Sequence, residues 1–315
     1  VNTATDHLET EAAANKGGGL HIQGVLWRKY LDYAVKHVPL HLEPVLIAYL
    51  ATFFFLATPS WRRRLEKNLR LVFPKAGALS LFFKSWRVYH NFAWSLVDTA
   101  RFHQGQAEFD WEFEGFEEFK ELADPKRSAV IVTAHMASYD LGVYIFRQKI
   151  GHNITMVRAP EPDQRTQEYV HSHSEPSGVH VSYSGSDELI SLELVHNLRR
   201  GGVVAIQGDR AIPGLSSVKA SWFGNPVRLP AGPFALAMVT GAPIFPLFIA
   251  RTGIRRYRVI TFPPIRVTRT SEDRTKDWEK AAAEWSEAFE SILRRHWHQW
   301  FAFEGNSRNQ DDGTH

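Results

Sequence analysis

Three textures of apolar and polar positions follow one another along the chain. Residues 1–19 are polar and small, end in Gly17-Gly18-Gly19, and read as a disordered leader. They have neither the basic start nor the apolar centre of a signal peptide. From residue 20 to about 105, apolar residues recur at helical spacing, and residues 45–58 (VLIAYLATFFFLAT) form fourteen positions without a charge. Spanning a bilayer takes about 20 such residues, so this piece is expected to be a re-entrant, interfacial or buried helix. Pro59-Ser60 then marks the start of another helix.

From Phe109 onward the period changes. Short apolar runs at 130–133, 154–158, 203–207, 244–250 and 257–262 predict strands. Helical stretches sit between them near 139–149, 162–172, 187–200 and 233–240. This alternation predicts an α/β domain over residues 106–303, a sheet with helices on both faces. A long helix over 277–300 closes it, with Trp285, Phe289, Ile292 and His296 on one stripe. Residues 304–315 read as a disordered tail, and no internal repeat is visible.

Composition narrows the chemistry. Hydrophobic residues make up 44% and aromatic residues 13%, rich for a soluble domain. The absence of cysteine excludes disulfides, thiolate zinc sites and Cys nucleophiles. Net charge is only +3, but the basic residues cluster. Residues 61–75 carry six Lys/Arg against Glu66, and residues 251–269 carry six Arg and no acid. Such runs are either solvated faces or a surface for an anionic partner. The apolar 45–58 piece leads directly into Arg62, Arg63, Arg64, Lys67 and Arg70, which suits a helix lying on anionic lipid. Nucleic acid is disfavoured, because the basic runs adjoin apolar segments instead of a stacking platform.

The candidate chemistry gathers at strand ends. The run VIVT (130–133) stops at Ala134-His135 and a helical pattern resumes, so His135 sits where a strand hands over to a helix. Asp140 follows five residues later. On one continuous helix the two would point about 140° apart. If His135 lies in the turn, the chain can fold back and let the Asp140 carboxylate orient the imidazole. Arg158 ends the next strand and is suited to a phosphate, a carboxylate or a developing oxyanion. Gly208-Asp209-Arg210 ends a third. The segment 222–233 (WFGNPVRLPAGP) is expected to be a stiff loop, with Pro233 in the first turn of the next helix. There is no Gly-x-Ser-x-Gly elbow, P-loop, dinucleotide fingerprint or His-Glu-x-x-His pair, and neither metal nor cofactor is expected.

His135-x4-Asp140, Arg158 in Val-Arg-Ala-Pro, Gly208-Asp209-Arg210, Phe223-Gly-Asn-Pro through Gly232-Pro233, and the closing Trp297-His-Gln-Trp300-Phe-Ala-Phe303 appear in this order. Together they resemble the lipid A late acyltransferases (lauroyl/myristoyl transferases) and the related bacterial mannoside acyltransferases. The resemblance implies a glycerolipid-acyltransferase-like α/β fold behind an N-terminal helical membrane-associated region at 20–105. It implies transfer of an acyl chain from an acyl carrier protein or coenzyme A thioester to a hydroxyl of a lipid or glycolipid. His135 would be the base and Asp140 its orienting partner. Arg158, or backbone amides at the start of the helix expected from Ser138, would stabilise the oxyanion, with Asp209 and Arg210 positioning donor or acceptor. The place of action would be the cytoplasmic face of a bacterial inner membrane, on an anionic surface, in peripheral or monotopic fashion. Two rivals share these residues: a lipid hydrolase with water as acceptor, and a non-catalytic lipid-binding protein.

Overall fold

The computed structural model describes residues 25–303 apart from 116, 118–123, 125–126, 152, 161–163, 169–178, 185–187 and 213. The expected leader at 1–19, the tail at 304–315 and most of the helix expected at 162–172 lie outside these residues. Four helices come first: α1 (Val25–His37), α2 (Glu43–Ala57), α3 (Pro59–Val72) and α4 (Ala78–His103). There follow β1 (Asp110–Glu114), β2 (Ala129–Thr133), α5 (Tyr139–Ile150), β3 (Ile154–Arg158), β4 (Val179–Tyr183), α6 (Glu188–Arg199) and β5 (Val203–Gln207). A hairpin of β6 (Ser217–Trp222) and β7 (Asn225–Pro230) leads to α7 (Gly232–Thr240), β8 (Ile244–Gly253), β9 (Arg256–Thr261) and α8 (Arg274–His296).

Seven strands form one sheet in the order β1-β9-β8-β2-β5-β3-β4. β8, β2, β5, β3 and β4 run parallel, while β9 is antiparallel to β8 and β1 follows β9. Every residue of β2 is buried, as a parallel strand covered on both faces requires. Its side chains alternate. Val130 and Val132 pack with Val204, Phe248, Trp285 and Phe289 on the α7/α8 side. Ala129 and Ile131 pack with Val203, Phe245, Ile249 and Phe146 on the α5 side.

The strands expected from apolar runs are all present. β1 (DWEFE) and β4 (VHVSY) were not foreseen, because each carries charged or polar residues at an edge of the sheet. The expected loop at 222–233 is instead the second arm of the β6–β7 hairpin, turned by Phe223 and Gly224, both at positive φ. Pro226 and Pro230 argued against a strand, yet a two-stranded ribbon leaves each strand one free edge that tolerates proline. The long helix begins at Arg274, where the Asp273 side chain caps it by accepting from the Thr275 N–H.

The N-terminal helices are amphipathic around a core of their own. Phe55, Leu65, Leu69, Leu81, Val88 and Tyr89 pack with Phe301 and Phe303 from the end of the described chain. Asn68 Nδ2 donates to the Ala302 carbonyl, joining the helical layer to the C-terminal segment. The start of α2 is pinned by buried Glu43, which accepts from both Arg101 and Arg255. Part of the second basic run is paired within the protein: Arg251 approaches Asp98, Arg255 binds Glu43, and Arg258 binds Glu112, while Arg256, Arg266 and Arg269 are exposed.

The apolar 45–58 piece is α2, and it is buried on one side only. Ile47, Ala51 and Phe55 face inward, while Val45, Tyr49, Phe53 and Leu56 are exposed. Among the described residues no single helix is long and apolar enough to cross a membrane. Only the α2–α3 pair passes that test, with a bend of 94° between its two halves.

Candidate active site

Three strands that lie side by side, β2, β5 and β3, each deliver one polar group to the same edge of the sheet. The parallel register pairs Thr133 with Gln207 at the ends of β2 and β5. The ladder continues with the Gly208 N–H donating to the Thr133 carbonyl at 2.8 Å. Two residues beyond the paired ends, His135 and Asp209 therefore face each other. His135 Nδ1 lies 2.7 Å from Asp209 Oδ1, and the His135 backbone N–H donates to the same oxygen at 3.2 Å. The second oxygen, Oδ2, accepts from Trp300 Nε1 at 2.9 Å.

The expected partnership of His135 with Asp140 is replaced by this one. Asp140 lies in the first turn of α5 and accepts from Arg158 Nη1 at 2.9 Å, across from the end of β3. Helix geometry explains the exchange. The turn at 134–138 does bend, with Ala137 at φ 44°, but α5 starts at Tyr139 and aims its first turn toward β3. Asp209 needs no such fold-back, since it starts on the neighbouring strand. His135 thus pairs with Asp209 and Asp140 with Arg158, and Tyr139 feels the charges of Asp140, Arg158, Arg210 and Asp209.

The carboxylate is well suited to its place. Burial raises the Asp209 pKa, but the His135 charge and hydrogen bond, then Arg210 and the Trp300 indole, outweigh it and hold the group at about 2. An ionised carboxylate only accepts, so His135 Nδ1 carries the proton of that bond, and in the neutral ring Nε2 has the lone pair. No hydrogen bond to Nε2 is present among the described residues, and the His135 side chain retains 17% exposure against 3% for Asp209.

The turn carrying His135 is clamped from several sides. The Phe301 N–H donates to the His135 carbonyl, and the Ala137 N–H donates to the Gln299 carbonyl. From α4, the Ser95 hydroxyl donates to the Ala137 carbonyl at 2.7 Å. Below, the Trp285 indole donates to the Val132 carbonyl at 3.0 Å. Gly208 is required where it stands: a Cβ there would lie 2.5 Å from Val132 Cγ1 and 3.2 Å from the Trp285 ring.

Two site residues carried no usable signal in the sequence. Tyr139 packs edge-on to His135 with ring centroids 5.5 Å apart. Its burial, with Asp140 nearby, pushes the phenol up to about 12, so it remains a neutral donor. Trp300 sits in the closing aromatic run, whose composition marked it without indicating a role. Among the described residues no group of three or more His, Asp or Glu side chains is placed to hold a metal ion.

A family model described as bacterial lipid A biosynthesis acyltransferase matches residues 30–306. The phosphatidylinositol mannoside acyltransferase of Mycobacterium tuberculosis (strain CDC 1551 / Oshkosh) is 29% identical over 119 residues, which cover 38% of this chain and 37% of that protein. The protein of the same name from Mycolicibacterium smegmatis is 28% identical over 125 residues, covering 39% of this chain and 40% of its own. The chain thus matches well under half the length of these curated relatives.

Proposed function

The chain belongs to the bacterial lipid A biosynthesis acyltransferase family, and from that premise we propose that it moves a fatty acyl group from a thioester to a hydroxyl of a lipid or glycolipid. The donor is an acyl carrier protein or coenzyme A thioester, taken as a co-substrate. The observation that carries the reading is the pair His135–Asp209 at 2.7 Å, with Nε2 unengaged among the described residues at the mouth of the sheet.

The steps follow from that geometry. His135 Nε2 takes the proton of the acceptor hydroxyl as its oxygen attacks the thioester carbonyl. The imidazolium that forms is stabilised by the Asp209 carboxylate against Nδ1–H. Negative charge on the tetrahedral oxygen is met by backbone N–H groups in the first turn of α5 and by its helix dipole. Collapse breaks the C–S bond, and the departing thiolate recovers the proton from His135. No covalent enzyme intermediate is required. Arg158, engaged with Asp140, lines the acceptor side together with Arg210, where a phosphate or sugar hydroxyl suits their charge.

The exposed faces of the N-terminal helices support a membrane-borne acceptor. Leu26, Tyr30 and Tyr33 on α1, Val45, Tyr49 and Phe53 on α2, and Leu79 and Phe83 on α4 are all exposed. Arg63, Arg64 and Lys67 on α3 are exposed as well. An apolar face with basic neighbours fits monotopic attachment to anionic lipid, at the cytoplasmic face of a bacterial inner membrane.

The test is direct. Purified protein is given a radiolabelled long-chain acyl-coenzyme A or acyl carrier protein and, as first acceptor, phosphatidylinositol mannoside, chosen from the names of the relatives. Membrane lipids of cells lacking the protein are searched by mass spectrometry for a species one acyl chain short. An acylated lipid made by the wild type and lost with His135→Ala supports transfer. Free fatty acid as the sole product, whatever lipid is added, would replace transfer with hydrolysis.

A further inference from the structure

We propose that Trp300 is a positioning residue for the reaction, holding Asp209 so that its other oxygen keeps the His135 imidazole in register. The inference rests on the His135–Asp209 reading above and adds a third member, drawn from a segment to which that reading assigns no role. Trp300 is 1% exposed, and its indole N–H donates to Asp209 Oδ2 at 2.9 Å. The same segment touches the histidine directly. Met136 and Trp300 form an isolated bridge, and the Phe301 N–H donates to the His135 carbonyl. One stretch of backbone thus fixes the turn bearing the base, while its side chain fixes the carboxylate opposite.

The chemistry needs that arrangement. A carboxylate on Cβ rotates about two torsions, and a rotated Asp209 would offer the imidazole a poorly directed lone pair. Its two oxygens are divided here between the histidine and the indole, so neither torsion is free. The indole N–H also draws off part of the carboxylate charge, which sets how strongly Asp209 favours the protonated imidazole. Trp300 itself is held by aromatic packing: Trp222 and Phe289 meet it edge-on at 5.7 Å. This gives the indole a reason to be where it is that does not depend on substrate.

The experiment uses the full chain in detergent, with Trp300→Phe as the variant and Trp86→Phe as the control. Trp86 also loses an indole hydrogen bond, to Thr52 Oγ1, and packs in the separate core of the N-terminal helices. The downfield proton resonance of His135 Nδ1, identified by its loss in His135→Gln, is recorded first and needs no substrate. It moves in Trp300→Phe and stays in place in Trp86→Phe. With the acyl-coenzyme A and phosphatidylinositol mannoside probes, Trp300→Phe lowers kcat about tenfold and leaves KM nearly unchanged. The acid limb of its kcat profile moves to higher pH by about one unit, since removing one donor to the carboxylate strengthens its hold on the imidazolium. A resonance and an acid limb both unchanged in Trp300→Phe, or moved equally by Trp86→Phe, overturn the proposal and leave Trp300 as packing alone. Full activity in Asp209→Asn would instead overturn the dyad, and so separates the two failures.

Discussion

Replacing Asp209 with Asn changes almost no volume, and the structure says what it must cost. The carboxylate accepts three hydrogen bonds, two on Oδ1 from His135 and one on Oδ2 from Trp300. An amide has one oxygen, so its NH2 must face either the indole or the imidazole. Facing the indole, it leaves a buried N–H unpaired, at a cost of about 1–3 kcal/mol. Facing the imidazole, it meets Nδ1–H donor against donor and drives the ring to the other tautomer, which puts the proton on the nitrogen that must act as base. In both orientations the imidazolium loses its counter-charge. Two unit charges about 4 Å apart at an effective dielectric near 20 interact by about 4 kcal/mol, or about 10³ in rate. We therefore expect Asp209→Asn to lower kcat by about 10³ with KM little affected, and to lower Tm by a few degrees.

The same carboxylate gives a second, independent readout. Its pKa falls from an ordinary 3.8 to about 2 on folding, which corresponds to roughly 2 kcal/mol of stability. Because the folded value is the lower one, this increment is complete above the unfolded pKa and is lost as pH falls through about 2. The Tm difference between wild type and Asp209→Asn should then be full near neutrality and narrow below about pH 4. Calorimetry or circular dichroism across that range measures it, alongside initial rates of acyl transfer. An Asn variant within tenfold of wild-type kcat, or a Tm gap that does not change with pH, would refute the reasoning.

Further outcomes follow from other contacts. Gly208→Ala forces a methyl against Val132 and the Trp285 ring, and should cost about 1–3 kcal/mol of stability while moving Asp209 enough to reduce kcat; an unchanged melting curve would contradict it. Glu43→Gln leaves buried Arg101 and Arg255 without their shared carboxylate and should destabilise by about 3–5 kcal/mol in denaturant titration. Arg158→Ala and Asp140→Ala should act as one unit: each alone and both together should give similar losses in kcat/KM, and simple additivity would show that the pair is not a functional unit. Tyr49→Glu with Phe53→Glu should release the protein from anionic vesicles in a flotation assay, whereas Arg63→Glu with Arg64→Glu should remove only the salt-sensitive part of binding.

Much of the fold was open to a reading of periodicity because the central strands are buried on both faces. A strand such as 129–133 has no solvent side, so its sequence is an unbroken apolar run. The edge strands β1 and β4 each keep charged or exposed positions, and that mixture reads as loop. The β6–β7 hairpin was hidden by two prolines that an isolated ribbon tolerates. Three arginines of the basic run at 251–269, Arg251, Arg255 and Arg258, meet acids that lie far away in the chain, Asp98, Glu43 and Glu112, so local sequence could not show their partners.

The sequence offered candidate residues at strand ends but not the pairs that the structure makes of them. His135, Asp140, Arg158, Asp209 and Arg210 all follow strands, and strand ends on one edge of a parallel sheet converge whatever the strand order. Which acid meets the histidine depends on that order. Asp209 lies 74 residues from His135 in the chain, and only the placement of β5 beside β2 makes them neighbours. Local spacing favoured Asp140 because five residues is a distance that a turn can close, whereas strand adjacency leaves no mark in local spacing. The same blindness covers Trp300, 91 residues beyond Asp209. If the dyad is completed from strands and from the segment that follows α8, then substitutions near residue 300 should act on the pH dependence of turnover. Substitutions at Asp140 should act on substrate, because its carboxylate is spent on Arg158 and not on the base.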